Sequence, residues 1–251
     1  MRDPRPEARI PRASSRREPS PQGAASPAPS RRFCWAREPE RVAGEWHCFR
    51  QVAPDWPPLY HAAGEPEPSQ RSARWHRLGE GYAQYLALEP LGAWAELVRF
   101  ERIRGNTRAA QYRRRLWLVF VREREIADLS TFDRWDACGL DPRAAVGDHG
   151  ACQAIADDLR AAGYRGVLSP SAALVGATNL TLFGTRYEKV LLGGLERWEN
   201  PNPDVRLPCS LAAEGTPPEQ LITETTFSDM PHDGYRAWLR AEGLRAPRGV
   251  P

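Results

Sequence analysis

The chain has 251 residues, 41% of them hydrophobic and nine of them tryptophan, which is enough to bury a sizeable core in one domain or two. Its formal charge is +3, but residues 1–32 hold eight arginines against three acids, leaving 27 basic against 29 acidic residues elsewhere; a nucleic-acid-binding domain normally carries a basic face that raises its own charge, so the overall charge is weak evidence for such a partner. Five cysteines, an odd number with no Cys-x-x-Cys, argue against a disulfide framework and for a reducing compartment, and His47-Cys48, the one adjacent pair of soft ligands, has no second cluster with which to hold zinc.

Residues 1–32 are mainly Pro, Arg, Ser and Ala. Such a segment cannot bury enough apolar surface to offset its ordering entropy, so it is expected to be a disordered tail before a domain spanning 33–245. Its seven prolines would break the amphipathic helix of a transit peptide, and no run reaches the ~18 apolar residues of a membrane helix, so the expected location is cytoplasmic. Glu45 to Val52 reads as a first strand carrying Arg50, and Pro54 to Ser72 as a long loop.

Arg74 to Glu96 is the stretch around which the rest is organised. Tyr82 to Leu88 alternates as a strand does, and Glu89-Pro90 starts a helix with proline in its first turn. On that helix Leu91, Trp94, Ala95 and Val98 share one stripe, and Ala93, Phe100 and Ile103 another that also carries Glu96. A carboxylate on an apolar stripe is costly unless paired or used, so Glu96 is either the centre of a site or the partner of a neighbouring arginine.

Leu116 to Val121 is a short buried strand, Thr131 to His149 is irregular, and Ala151 to Ala162 is a helix stopped by Gly163. Tyr164 to Ala173 reads as a strand broken at Pro170, and Thr178 to Phe183 as an alternating strand. A loop-rich stretch from Gly193 to Pro218 precedes an expected strand from Leu221 to Phe227. Asp229 then caps a last helix bearing Tyr235, Trp238 and Leu239. The sum is a mixed α+β domain, with at least five strands and three or four helices, that does not alternate regularly enough for a doubly wound sheet.

Several motifs are missing. There is no Gly-x-x-x-x-Gly-Lys phosphate loop, Gly79 and Gly81 lack the rest of a dinucleotide fingerprint, and no Gly-x-Ser-x-Gly marks a serine nucleophile. What remains is an ordered set: Phe49-Arg50; Arg74-Trp75; Gln84-Tyr85-Leu86-Ala87; Ala93 with Glu96; Gly166-Val167 with Pro170-Ser171; and Asn179-Leu180 with Leu182-Phe183. From Glu45 to Lys189 this resembles the RES domain family, with His76 standing where the family often has Asn.

The resemblance implies a fold similar to that of ADP-ribosyltransferases and an activity that consumes NAD as substrate, with no further cofactor, by cleaving the nicotinamide N-glycosidic bond. Hydrolysis, phosphorolysis and ADP-ribosyl transfer to a protein or small molecule are all compatible with it. It also implies a toxin of a toxin–antitoxin pair, with a helix-turn-helix antitoxin as partner. In that chemistry Glu96 would stabilise the developing oxocarbenium, Arg74 would hold the pyrophosphate with its donor fork, and Tyr85 would stack on nicotinamide and orient the ribose. Ser171 would offer its hydroxyl to the carboxamide or ribose, and Arg50 would be a second phosphate contact or a surface ion-pair partner. Trp75 and His76 are read as packing residues. From another class, the chain could be a silent interaction domain using its basic tail; the carboxylate on the apolar helix face argues against it.

Overall fold

A computed structural model describes residues 35–59, 70–79, 82–105, 108, 111–147, 149–192 and 206–245. The expected tail of 1–32, part of the long loop and Gly81 lie outside the described residues. The strands are β1 (Glu40–Val52), β2 (Ala83–Ala87), β3 (Arg114–Asp128), β4 (Gly166–Pro170), β5 (Thr178–Phe183), β6 (Tyr187–Val190) and β7 (Arg206–Gly215). The helices are α1 (Pro90–Ile103), α2 (Phe132–Ala137), α3 (His149–Ala161), α4 (Leu221–Glu224) and α5 (Asp233–Arg245), with a 3-10 turn at Pro142–Ala145. No helix among the described residues is long and apolar enough to cross a membrane.

The sheet runs β1-β2-β5-β4-β3-β7-β6, and β1 also pairs with β3, so the first five strands of that order close on themselves. Only β3–β4 and β6–β7 are parallel. Strand β3 is the common wall: β1 runs antiparallel along it from Glu40↔Asp128 to Val52↔Arg115, while β7 and β4 share its other edge. A bulge makes that sharing possible. The register with β1 shifts between Val42 and Gly44, opposite Glu125, which sits at φ 60. An extra residue there reverses side-chain parity, so Trp117, Val119 and Val121 before it and Ile126 after it enter one core, with Cys48, Leu180, Leu182 and Cys209.

Two further clusters cover the outside of the strands. Trp75, Trp135, Ile155, Leu159 and Val167 pack α2 and α3 against β3 and β4, with the rings of Trp75 and Trp135 6.1 Å apart. Ala93, Trp94 and Leu97 pack α1 against Leu116, Ala173 and Leu221. Gly166 is demanded by close approach, since a Cβ there would stand 2.5 Å from the Thr181 carbonyl oxygen on β5.

The expectations for β2, α1, α3 and β5 hold to within two residues, and the α+β class holds. Others need correction. The strand expected from Leu221 to Phe227 is instead the short helix α4 followed by extended chain; Pro217-Pro218 and the burial of Leu221 start a turn there that the β-branched residues do not overcome. The stretch from Gly193 to Pro218 contains β7, Thr131 to His149 contains α2 and the 3-10 turn, and α5 begins at Asp233, four residues after Asp229. Phe100 and Ile103, expected on an apolar stripe, are more than half exposed.

Candidate active site

The sequence places Glu96 on the second turn of α1 and Tyr85 in the middle of β2, and the fold turns both towards one cavity of about 370 Å³, within the range of ligand pockets. Alternate residues of three neighbouring strands face it: Tyr85 and Ala87 from β2, Asn179 and Thr181 from β5, and Ser169 from β4. Arg50, Arg74, Arg99 and His149 line the remaining walls, and Phe49, Phe100 and Ile103 are among the apolar ones. Four of the five expected site residues therefore converge. The fifth, Ser171, does not line the cavity; it is 1% exposed and lies behind Glu96.

Glu96 is held by hydrogen bonds. Its Oε1 accepts the Ser171 hydroxyl at 2.9 Å and the Asn179 amide at 2.7 Å, while Oε2 accepts no hydrogen bond among the described residues. The Ser171 oxygen in turn accepts the backbone N–H groups of Ala173 and Leu174, a local turn that follows Pro170 at the end of β4. One carboxylate oxygen is thus anchored and the other is left to face what enters the cavity. The reading of Glu96 as the partner of a neighbouring arginine does not match this arrangement: its anchors are a hydroxyl and an amide, and no ion pair to it is described.

Arg74 projects from the segment before β2, with Nη1 donating to the carbonyls of Ala144 and Gly147, both at 3.2 Å. That segment is tied down at Trp75 and His76. The Trp75 N–H donates to the Tyr85 hydroxyl at 2.9 Å, His76 Nδ1 is 2.9 Å from the same oxygen, and Arg160 donates to the Trp75 carbonyl. The Tyr85 hydroxyl is engaged in holding this segment, so the ring is the part left to meet a ligand. Burial pushes the Tyr85 hydroxyl well above the usual phenol range, which keeps it a neutral donor. Arg50, expected as a second phosphate contact or an ion-pair partner, lines the cavity and donates to Gln84 Oε1 at 3.1 Å.

Two residues that the sequence reading did not assign belong to the site. Asn179 appears in the strand pattern, but its role follows only from the β4–β5 register, which sets it opposite Ser169. Arg99 stands one helical turn after Glu96, is 8% exposed and donates to the Thr226 carbonyl. Burial lowers its pKa, partly offset by the charge of Glu96. The i, i+3 spacing was the available signal. Trp75 and His76 are each 1% exposed, as expected for packing residues. Among the described residues no group of three or more His, Cys, Asp or Glu side chains is placed to hold a metal ion.

The arrangement is a concave site with three arginines, and with Glu96 as the one carboxylate among its described lining residues. It suits an anionic ligand that develops positive charge at one point. No curated protein matches the chain in sequence. Among solved structures, a chain of the M. tuberculosis MbcT-MbcA toxin-antitoxin complex superposes with a TM-score of 0.50 at 21% identity, covering 70% of this chain and 86% of that one; at that identity the likeness speaks for the fold. The RES domain pattern matches residues 45–199, more than half of the sequence, and the chain belongs to the RES domain family.

Proposed function

We propose that this RES domain protein consumes NAD, breaking the bond between the ribose C1′ and the nicotinamide nitrogen. The observation that carries the reading is the single anchored carboxylate, Glu96, in a cavity whose other charged lining residues are arginines. Ordinary glycoside hydrolysis takes two carboxyl groups, one of them to protonate the leaving oxygen. Nicotinamide needs no such proton. It is already a cation in NAD, and it leaves as a neutral molecule by taking the bonding electron pair onto its nitrogen. One carboxylate facing the ribose then suffices, because the remaining task is to stabilise positive charge spreading over C1′ and the ring oxygen.

The other residues take roles that this chemistry requires. Arg74, braced by two carbonyls, meets the pyrophosphate with its remaining donors, Arg50 and Arg99 add to the positive field, and the Tyr85 ring offers a stacking face for nicotinamide. The reaction closes when a water oxygen bonds to C1′ and loses a proton, or when a phosphate oxygen bonds there instead; transfer to a protein or small-molecule acceptor shares the same first step. The likeness to a toxin–antitoxin complex supports a toxin-type role, with a helix-turn-helix antitoxin as the proposed partner.

The test is to incubate the purified protein with NAD, with and without phosphate, and to follow nicotinamide and the ribosyl product. Release of nicotinamide is expected, and the product (ADP-ribose, its 1″-phosphate or an ADP-ribosylated acceptor) identifies the acceptor. Intact NAD in every condition would overturn the reading in favour of a silent interaction domain.

A further inference from the structure

The last part of the domain lies beyond residue 199, where the family match ends, yet it reaches the back of the site by three hydrogen bonds. The Thr226 N–H donates to the Ala173 carbonyl at 2.8 Å. Arg99 Nη1 donates to the Thr226 carbonyl at 2.5 Å. His232 Nε2 stands 3.1 Å from the Ser171 carbonyl oxygen. Two of the three therefore hold the turn of residues 171–173, whose serine hydroxyl anchors Oε1 of Glu96, and the third holds an arginine of the cavity wall.

His232 is the residue of this strap with a defined chemical state. Its Nδ1 accepts the Tyr235 N–H at 3.1 Å, so Nδ1 carries no proton. The Ser171 carbonyl can only accept, so Nε2 carries one. The ring is thus a neutral imidazole that caps α5 with one nitrogen and holds the Ser171 backbone with the other. It is 7% exposed, with the Phe132 ring of α2 edge-on at 6.0 Å. Gly234 lies so close that a Cβ there would meet His232 Cε1 at 3.0 Å. Helix α5 is itself fixed to α2, where Phe132, Tyr235 and Trp238 pack together and Trp238 Nε1 donates to Asp133.

We infer that His232 is a positioning residue for Glu96, acting through the Ser171 carbonyl, and that the segment from Leu221 to His232 completes the active site from outside the matched family region. The inference rests on the reading of Glu96 as the catalytic carboxylate. A preorganised charge acts only where it is aimed, and displacement by an ångström is enough to slow a reaction. Losing the His232 bond frees the turn and lets Glu96 shift on its anchor.

The two nitrogens can be tested separately. In His232→Asn the side-chain oxygen replaces Nδ1 and keeps the cap on α5, but the Ser171 carbonyl loses its donor. In His232→Gln the amide nitrogen replaces Nε2 and keeps that bond. The Asn variant is expected to lose about tenfold in kcat for nicotinamide release with KM for NAD within about twofold, and the Gln variant to stay within about threefold of the parent. Equal kcat for parent and Asn variant, or an equal loss in both variants, would overturn the inference, the latter showing a role in packing alone. If the parent itself releases no nicotinamide, the proposed function fails, and amide exchange still decides the positioning. The Ala173 and Leu174 amides should then exchange about tenfold faster in the Asn variant than in the parent or the Gln variant, and unchanged exchange would overturn the inference.

Discussion

Ser171 gives its hydroxyl hydrogen to Oε1 of Glu96 over 2.9 Å while its oxygen accepts the Ala173 and Leu174 amides, so a residue expected to touch the substrate instead orients the carboxylate. Replacing it with alanine removes one of two anchors and leaves two backbone N–H groups without their partner. Ser171→Ala should lower kcat about tenfold, with KM for NAD within about twofold, and lower the melting temperature by a few degrees. A raised KM at constant kcat would return Ser171 to the substrate.

Arg74 has one terminal nitrogen committed to the Ala144 and Gly147 carbonyls, and the rest of its fork is free to pair with an anion. Lysine reproduces the charge and not the fork, so Arg74→Lys should raise KM for NAD by about tenfold or more, with kcat within about threefold. Steady-state kinetics decides. A fall in kcat at constant KM would place Arg74 in the transition state instead.

Glu123 provides a stability test away from the cavity. Its side chain is 1% exposed, between Arg165 at 2.8 Å and Arg186 at 2.9 Å. Glu123→Gln leaves two arginines facing a neutral amide and should cost about 3–5 kcal/mol by urea unfolding. A loss below about 1 kcal/mol would mean that the pair contributes little beyond its desolvation cost.

His232 has its pKa lowered from the ordinary histidine value, first by burial and also by the charges of Arg99 and Arg74, against the opposing pull of the Ser171 carbonyl and Asp233. The unfolded chain therefore takes up a proton before the folded one does. Stability contributed by the neutral ring is complete above about pH 6.5 and is lost as the pH falls through the lower folded value. The melting temperature of the parent should drop more steeply between about pH 7 and 5 than that of His232→Gln. Parallel curves would show that His232 does not carry this dependence.

The parts of the fold that were legible in the sequence are those where local pattern and tertiary contact agree. Thr178 to Phe183 alternates and forms a strand with those limits, and Glu89-Pro90 starts α1 as its chemistry demands. Strand β3 extends to Asp128, beyond its apolar run, because Glu123 finds Arg165 and Arg186 and Glu125 turns through the bulge; charged residues looked like an end because their partners are distant in sequence. Strand β7 carries Pro208 near its start and gains its order from Arg114–Val119 of β3, a pairing invisible locally. Within the site, Glu96, Tyr85, Arg74 and Arg50 were visible as chemistry placed on recognisable elements. Asn179 and His232 were not, since one depends on strand register and the other on a contact 61 residues away.

Glu96 carries the central claim, and Glu96→Gln tests it most directly. The amide keeps the size of the side chain and can still accept the Ser171 and Asn179 hydrogen bonds, but it removes the negative charge. With the parent releasing nicotinamide from NAD, the variant should melt at or above the parent's temperature, bind NAD with similar affinity and turn it over at least about a hundredfold more slowly. A folded Glu96→Gln protein that releases nicotinamide at the parent's rate would contradict the account.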